Sequence, residues 1–424
     1  METLALLGGP AAFTRALSAY NPYGEEEVQA ATDVIRSGCL SSFIGAWGEG
    51  FLGGPQVRAF EAEWAQFFGV KHAISVNSLT SGLICAVGAL DIEPGDEIIV
   101  SPWTMSASAT CILVWNAIPV FADIDPDTFN LDFQSVAANI TPRTRAIIVP
   151  SIFGYGADLE ALRGLADAQG IKIIEDAAQA PAIKYAGKWV GTWGDIGGFS
   201  LNYHKHIHTG EGGICVTNDD ALAERMRLIR NHAEAVVDKK GHENISNMIG
   251  FNFRLGEIEA ALGRCQLKKL QEKVDWRFYL GVELQQRLAG LIGLYTTPIE
   301  PGNTHAFYVF GMRLDVRALN ISRDKIFSAL AAEGVPALSK QYVNVHRYGM
   351  YQKKIAYGTE HFPWKNGLYE SQVDYTKGIC PVAEQLQDQT YLGLHLCQYD
   401  FNLDDIEQIA LAFHKVWNNL DAIK

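Results

Sequence analysis

One lysine, Lys205, lies in a sequence setting that is unusual for a charged side chain. It stands between two short apolar segments, Ile196 to Leu201 and Ile214 to Thr217, in a stretch rich in glycine. These segments predict buried strands joined by a tight turn. Burial lowers the pKa of an amine, and a lowered pKa is what Schiff-base chemistry requires of a lysine. An ordinary solvated loop lysine is the alternative, so other parts of the chain have to support the chemical role.

Two further features have the residue types of a ligand site. Ser78, Leu79 and Thr80 join a short apolar strand to a predicted helix, and N–H groups and hydroxyls at a helix N-terminus suit a phosphate. Asp176 follows the apolar run from Ile171 to Ile174, where a buried carboxylate requires a cationic partner. Both features also have a structural interpretation, because serine, threonine and aspartate cap helices.

Together the three features match the needs of one cofactor. Pyridoxal phosphate requires an anion site for its phosphate, a carboxylate that keeps its pyridine nitrogen protonated and a lysine for its aldehyde. The turn at residues 78–80, Asp176 and Lys205 offer these groups in chain order. The combination is more specific than its parts and predicts a pyridoxal phosphate site.

The elements that would position these residues alternate between strand and helix. Strands that are apolar throughout and separated by helices predict a mostly parallel sheet covered on both faces, whose ligands bind beyond the carboxyl ends of the strands. An amphipathic helix over residues 24–37, with Val28, Ala31, Val34 and Ile35 on one face, and a second helix over 57–68 precede this pattern. The predicted strands are 72–76, 97–103, 120–124, 145–149 and 171–174, and the predicted helices are 77–90, 106–115 and 158–168.

The composition excludes several classes of protein. The chain has 424 residues, of which 48% are hydrophobic and 20% charged, as in globular proteins with a large core. It contains no apolar run long enough for a membrane span, and its first residues lack the pattern of a signal peptide. The seven cysteines are scattered, which favours reduced thiols in a cytoplasm. A net charge of −13 without a basic cluster argues against nucleic acid as a partner.

Five stretches together form a family signature. They are Glu175–Gln179, Gly194–Gly197, Lys205 with Thr209–Gly213, Gly250–Leu255 and Pro381–Glu384. They resemble the DegT/DnrJ/EryC1/StrS aminotransferases, which are fold-type I pyridoxal phosphate enzymes, and the likeness runs through most of the chain. The resemblance implies an α/β fold with a mostly parallel, seven-stranded sheet and a smaller α+β C-terminal domain.

The resemblance also implies a role for each matching residue of the catalytic centre. Lys205 would bind the aldehyde of the cofactor and later move the proton during transfer. Asp176 would pair with the pyridine nitrogen, and Gln179 would lie near the ring hydroxyl. One branch of the family has histidine in place of this lysine and performs dehydration. In this chain the matching residue is Lys205 and His206 is only its neighbour, so transamination is favoured.

The phosphate of the cofactor would be held by residues from two subunits. The resemblance implies that Ser200 and the turn at Leu79 and Thr80 bind it within one subunit. Asn252 would reach the phosphate of the neighbouring subunit, so that a complete active site would need a homodimer.

The chain departs from the family pattern at several positions. Met105 stands where an aromatic residue usually stacks on the cofactor ring, although a thioether can also pack on a ring, and Trp103 is a further candidate for that contact. Ser151 stands where histidine is common, and Leu79 replaces a frequent glycine. Two insertions, at about residues 41–54 and 356–378, are longer than usual for the family.

Several histidines have alternative interpretations. His204, His206 and His208 alternate around Lys205, and on a strand they would share the face opposite the lysine, where three histidines could bind zinc. Such a zinc site would leave Asp176 and the turn at residues 78–80 unexplained, so a lining or surface role is the better interpretation. His305 and His346 are candidates for the wall of the acceptor pocket.

The second half of the chain predicts a smaller domain. A long helical stretch from about residue 254 to 288 would link it to the first domain, followed by a strand at 305–314 and helices at 323–333 and 403–417. We predict a large domain of residues 1–275, with an N-terminal arm at 1–25, and a small domain of residues 276–424.

The expected reaction moves an amino group from an amino acid, L-glutamate by the resemblance, to a keto group. Most relatives aminate a nucleotide-linked deoxysugar, as in polysaccharide biosynthesis. A keto-cyclitol is an alternative acceptor, because Leu6-Leu7-Gly8-Gly9-Pro10 faintly resembles that branch. A dehydratase and a non-catalytic sensor that binds pyridoxal phosphate remain as alternatives from other functional classes.

Overall fold

A seven-stranded sheet forms the centre of the computed structural model, which describes residues 2–365, 367, 369 and 373–424. Its strand order is β1-β9-β8-β5-β4-β2-β3. The pairs β2–β3, β2–β4, β4–β5 and β5–β8 are parallel, whereas β9 runs antiparallel to both of its neighbours. The strands are β1 His72–Val76, β2 Glu97–Val100, β3 Ile118–Phe121, β4 Thr144–Pro150, β5 Lys172–Asp176, the hairpin β6 Lys184–Tyr185 and β7 Lys188–Trp189, β8 Ile196–Ser200 and β9 Gly213–Thr217.

Helices cover both faces of this sheet, as the apolar strands require. One face packs against α3 and α4, and the other packs against α2, α6 and the first half of α9. The helices up to this point are α1 Glu25–Ser37, α2 Pro55–Phe68, α3 Leu79–Ala89, α4 Ala107–Val114, α5 Phe133–Ala138, α6 Leu159–Gln169, α7 Asp220–Arg230, α8 Val237–Lys240 and α9 Glu257–Leu288. The predicted α/β class with a mostly parallel sheet is confirmed.

A second, antiparallel sheet forms the smaller domain. Its order is β10-β11-β13-β12, and α11, α14 and the second half of α9 pack against it around a separate apolar core. The remaining elements are β10 Leu294–Thr296, β11 Phe310–Leu314, α10 Val316–Leu319, α11 Arg323–Ala332, β12 Leu338–Ser339, α12 Gly349–Lys353, α13 Pro381–Gln385, β13 Tyr391–Leu394 and α14 Leu403–Trp417.

Two segments pack on the domain that lies farther from them in the sequence. Leu4 and Phe13 of the N-terminal arm lie in the core of the smaller domain. Tyr351 and Tyr375 pack instead on the large sheet, and the Tyr375 hydroxyl donates a 2.7 Å hydrogen bond to the carbonyl of Pro119 on the edge strand β3. Part of the predicted 356–378 insertion therefore covers this edge, while residues 366, 368 and 370–372 lie outside the described residues. The boundary at residue 275 stays a prediction.

Some predicted elements differ from the structure. Residues 305–309 do not form a strand, because Ala306 and Val309 donate their backbone N–H groups to the loop at residues 153–154. The predicted helix α1 is present, but only part of its apolar face is covered, since Val34 is buried whereas Val28 and Ile35 are 58% and 59% exposed. Among the described residues, no helix has the length and apolarity needed to cross a membrane.

Candidate active site

The carboxyl ends of four strands surround one cavity of 340 Å³. The chain leaves β1 at the turn before α3, β4 at Ser151, β5 at Asp176 and β8 at Ser200, and each of these points lines the cavity. This is the edge where ligands of parallel sheets bind. Of the residues predicted from the sequence, Leu79, Thr80, Met105, Asp176, Gln179, Ser200 and Lys205 line the cavity, and Asn252 does not.

Asp176 presents a buried carboxylate at the tip of β5. Its Oδ2 accepts a 2.7 Å hydrogen bond from the hydroxyl of Ser108, and its Oδ1 accepts a 3.2 Å bond from the N–H of Ala178. Burial raises the pKa of the Asp176 carboxyl, while these two bonds and the charge of Lys205 oppose the rise. The residues after Asp176 form turns and no α-helix, so the alternative role as a helix cap is wrong.

Lys205 lies in the loop between β8 and β9, with 7% of its surface exposed. Burial lowers the pKa of its amine to about 8, while the nearby Asp176 carboxylate opposes this shift. Its Nζ lies 4.3 Å from the ring centroid of Tyr308. An amine with this pKa is neutral in roughly a tenth of the molecules at pH 7, far more than an ordinary lysine, and the neutral form is the one that a nucleophile requires.

The N-terminus of α3 forms the polar end of the cavity. Ser78 is the N-cap, and its hydroxyl accepts the N–H of Ser81 at 3.2 Å. Gly213, the first residue of β9, passes so close that a Cβ there would lie 2.5 Å from the backbone nitrogen of Leu79. Leu79 and Thr80 at the helix N-terminus and Ser200 at the end of β8 all line the cavity, so they offer backbone N–H groups and hydroxyls of the kind that bind an anion.

Gln179 connects two walls of the cavity. Its Oε1 accepts the N–H of Phe153 at 2.7 Å, and its Nε2 donates to the hydroxyl of Tyr342 at 3.1 Å. Tyr342 belongs to the segment that joins β12 to α12, so this bond links the cavity edge of the large sheet to the second half of the chain.

Met105 lines the cavity and is 63% exposed. Trp103 does not line it, so the suggestion that this residue contacts the cofactor is not supported. Its side chain is fully buried and packs on Tyr342 and Tyr391. The Ser151 hydroxyl is also buried against the cavity, and no described residue provides a hydrogen-bond partner for it.

The structure distinguishes between the interpretations of the three histidines around Lys205. Residues 203–207 form turns and bends, and residue 208 is not in a strand either, so the strand face predicted for His204, His206 and His208 is not formed. His206 is fully buried, with its Nε2 2.8 Å from the carbonyl oxygen of Ala306, whereas His204 lines the cavity. In the described part of the chain, no group of three or more potential metal ligands is placed to bind a metal ion.

His305 and His346 do not line the cavity either. His346 is fully buried, and its Nε2 lies 3.0 Å from the Glu384 carboxylate. His305 is buried as well, and its ring stacks on Phe307 at 3.9 Å. Both histidines therefore have structural contacts in place of the suggested role in the acceptor pocket.

Several site residues were missed from the sequence. Ser108 holds Asp176, and its position among the hydroxyl residues that follow β2 could have indicated it. Tyr308, Tyr342 and His395 come from the second half of the chain, where no local pattern marks them, because only the packing of the two domains brings them to the cavity.

Two carboxylates of the signature motifs have structural roles. Glu175 is fully buried and accepts N–H groups from Gly191 at 2.7 Å and Gly194 at 2.6 Å. Asp195 accepts the N–H of Ile173 at 2.9 Å and pairs with Arg163. These contacts join β5 to the turn before β8. They thereby fix the position of Asp176, at the end of β5, relative to β8, the strand that precedes Lys205.

Comparison with known proteins agrees with this geometry. The model of the DegT/DnrJ/EryC1/StrS aminotransferase family matches residues 24–374. The chain belongs to this family. It is therefore an aminotransferase that depends on pyridoxal phosphate, as the sequence predicted.

Individual relatives extend over most of the chain. The spore coat polysaccharide biosynthesis protein SpsC of Bacillus subtilis is 33% identical over 353 residues, which cover 82% of this chain and 88% of that protein. The GDP-perosamine synthase of Caulobacter vibrioides is 38% identical over 283 residues, or 66% of this chain and 75% of that protein. Among solved structures, an aminotransferase from Psychrobacter cryohalolentis has a TM-score of 0.80 at 29% identity and covers 96% of this chain and 100% of that chain.

The residues of the cavity fit pyridoxal phosphate. The cavity combines a buried carboxylate at Asp176, a buried amine of lowered pKa at Lys205 and a helix N-terminus at Leu79. The buried Ser151 hydroxyl adds an unpaired polar atom that a ligand can satisfy. A volume of 340 Å³ lies within the range of small-molecule sites.

Proposed function

We propose that the enzyme transfers an amino group from L-glutamate to the keto group of a nucleotide-linked deoxysugar. The observation that carries the proposal is the cavity in which the amine of Lys205, with a pKa lowered to about 8, shares a wall with the buried Asp176 carboxylate. The acceptor class is supported by relatives whose names specify nucleotide sugars. These include GDP-perosamine synthase and the dTDP-3-amino-3,4,6-trideoxy-alpha-D-glucose transaminase of Streptomyces venezuelae.

Each site residue then has a defined role in the proposed reaction. Bound pyridoxal phosphate supplies the electron sink for the carbon that loses its proton. Lys205 holds the cofactor through its Nζ and moves the proton at the substrate carbon as a general base and acid. Asp176 would keep a positive charge at the pyridine nitrogen, and Gln179 would be placed for the ring hydroxyl. Ser200 and the α3 N-terminus at Leu79 and Thr80 would hold the phosphate, and Met105 would offer a contact to the ring.

We also propose that the active site is shared between two copies of the chain. Asn252 is exposed and outside the cavity, and its backbone is bridged to Asn231. It therefore has no part in the cavity of its own subunit and is free to reach the phosphate site of a partner in a homodimer.

The first test is the visible spectrum of the protein with pyridoxal phosphate before and after L-glutamate is added. We expect an absorption band that disappears with glutamate and returns when a nucleotide-linked keto-sugar is added. Lys205→Ala should lack the band, whereas the control Lys188→Ala, which removes an exposed lysine stacked on Trp193, should retain it.

Other outcomes identify the alternatives. A band that glutamate leaves unchanged points to another donor or to a sensor. Recovery with a keto-cyclitol but not with a nucleotide sugar changes the acceptor class, and loss of water from the sugar without any donor identifies a dehydratase. A protein that shows no Lys205-dependent band refutes the proposed site.

A further inference from the structure

Two tyrosines from the beginning of the chain hold the loop that carries Lys205. The hydroxyl of Tyr20 donates a 2.7 Å hydrogen bond to the carbonyl oxygen of His206, the residue next to Lys205. The hydroxyl of Tyr23 donates a 2.9 Å hydrogen bond to the carbonyl oxygen of His208. The ring centroids of Tyr23 and His208 are 4.8 Å apart. These contacts join segments 186 and 185 residues apart in sequence.

The segment that bears Tyr20 is fixed to the smaller domain. The backbone N–H of Tyr20 donates to the carbonyl of Gln398 at 3.1 Å, and Ala19 forms a β-bridge with Tyr399. The ring of Tyr20 lies 4.2 Å from the guanidinium of Arg277. The Tyr20 hydroxyl therefore has a defined position before it meets the loop.

Both tyrosines remain hydrogen-bond donors at any working pH. Burial raises the pKa of Tyr20 and of Tyr23 to about 12, so neither hydroxyl ionises near neutrality. Neither side chain lines the cavity, and therefore neither contacts the cofactor or the substrates there.

The loop at residues 202–208 depends on such contacts for its shape, because it is neither helix nor strand. On one side, the N–H of Lys205 donates to the carbonyl of Asn202 at 2.9 Å. On the other side, the His206 ring bonds the carbonyl of Ala306 at 2.8 Å. The tyrosine bonds act on the carbonyls of His206 and His208, one and three residues after the lysine, so a shift of these carbonyls would move the Lys205 backbone with them.

We propose that Tyr20 and Tyr23 are positioning residues for Lys205, which hold its amine at the working distance from the reacting carbon. The proposal rests on the role proposed above for Lys205. A displacement of about 1 Å can reduce the rate of a positioned reaction by up to roughly 100-fold. Binding of the donor should change little, because the tyrosines do not touch the cavity.

The test compares Tyr20→Phe and Tyr23→Phe with the wild-type holoenzyme. Each variant keeps the ring and removes only the hydroxyl. Tyr185→Phe is the matched control, because it removes a hydroxyl that bonds Asp158 at the surface. The charged and titratable groups that face the amine are unchanged in all three variants. They are Asp176, Cys397, His204, His206 and Tyr308.

We expect kcat of the half-reaction with L-glutamate to fall roughly tenfold in both tyrosine variants, with KM within about twofold of the wild type. The pH at which the visible band of the bound cofactor titrates should shift as well. The midpoint of thermal unfolding should stay close to that of the wild type, and Tyr185→Phe should behave as the wild type in every measurement.

Unchanged kcat and an unchanged titration would overturn the proposal, as would a change confined to thermal stability. Lys205→Ala, measured in the same series, shows whether the positioning role of the tyrosines or the proposed role of Lys205 itself is wrong. If Lys205→Ala keeps the band, the role of the lysine is wrong. If it loses the band while both tyrosine variants match the wild type, only the positioning role is wrong.

Discussion

Replacing Ser108 with alanine tests how the structure favours the ionised form of Asp176. The 2.7 Å hydrogen bond from the Ser108 hydroxyl to Oδ2 of Asp176 lies between two buried side chains. It opposes the effect of burial, which raises the pKa of the Asp176 carboxyl. Without it, the carboxyl pKa should rise further, and the attraction of Asp176 for a protonated pyridine nitrogen should weaken.

The size of the effect follows from the energy of this bond. A hydrogen bond to a charged group contributes about 1.5–3 kcal/mol. Loss of this bond should therefore raise the pKa of the Asp176 carboxyl further in Ser108→Ala, in the direction in which burial already shifts it. If the same energy is lost from cofactor binding, the dissociation constant of pyridoxal phosphate should increase roughly 10- to 100-fold.

The assay is a titration of the apoprotein with pyridoxal phosphate at several pH values, followed by visible absorbance. Ser101→Ala is the matched control, because Ser101 is equally buried but accepts the backbone N–H of Trp103 and lies outside the cavity. A wild-type dissociation constant for Ser108→Ala at every pH would refute the reasoning. Equal losses in the two variants would also refute it, since the effect would then be general destabilisation.

Two further predictions concern Lys205 and the second subunit. Burial lowers the pKa of the Lys205 amine to about 8, and only the neutral amine reacts. The rate at which the cofactor attaches should therefore rise about tenfold per pH unit below that pKa and level off above it. Stopped-flow absorbance measures this rate, and a rate that keeps rising well above the pKa contradicts the assignment. Lys205→Ala and Asn252→Ala should each have little activity by themselves. After subunit exchange in an equal mixture, about half of the dimers are mixed, and each mixed dimer contains one intact site of two. The mixture should therefore recover about one quarter of wild-type activity. An absence of recovery contradicts a shared site.

Much of the site could be predicted from the sequence because its parts are local motifs at strand ends. Asp176 ends a short apolar strand, Lys205 follows another, and the turn at residues 78–80 opens a helix. Parallel strands bring their carboxyl ends to one edge, so the class of fold alone places these groups together. The shared face of the three histidines around Lys205 was predicted only for a strand, and the turns around His206 remove that periodicity. His204 nevertheless lines the cavity, as the favoured interpretation predicted.

The fold could be predicted where an element repeats one pattern over its length. Apolar strands between amphipathic helices indicated the parallel sheet, and the smaller domain followed from its own strand and helices. The prediction failed at residues 305–309, where alternation suggested a strand but the backbone N–H groups bond the loop at 153–154. A strand requires a partner strand, and the sequence does not show which partner is present.

The sequence by itself determined the family and the cofactor and predicted the residues that would hold it, since these depend on contiguous motifs with fixed chemistry. The tertiary structure decided which other side chains form hydrogen bonds to the predicted site residues. Ser108 reaches Asp176, Tyr342 reaches Gln179 and Tyr20 reaches the Lys205 loop across 68, 163 and 186 positions of the chain. Contacts at such separations depend on how the two domains and the N-terminal arm pack, and packing is a property of the whole fold and not of any local pattern.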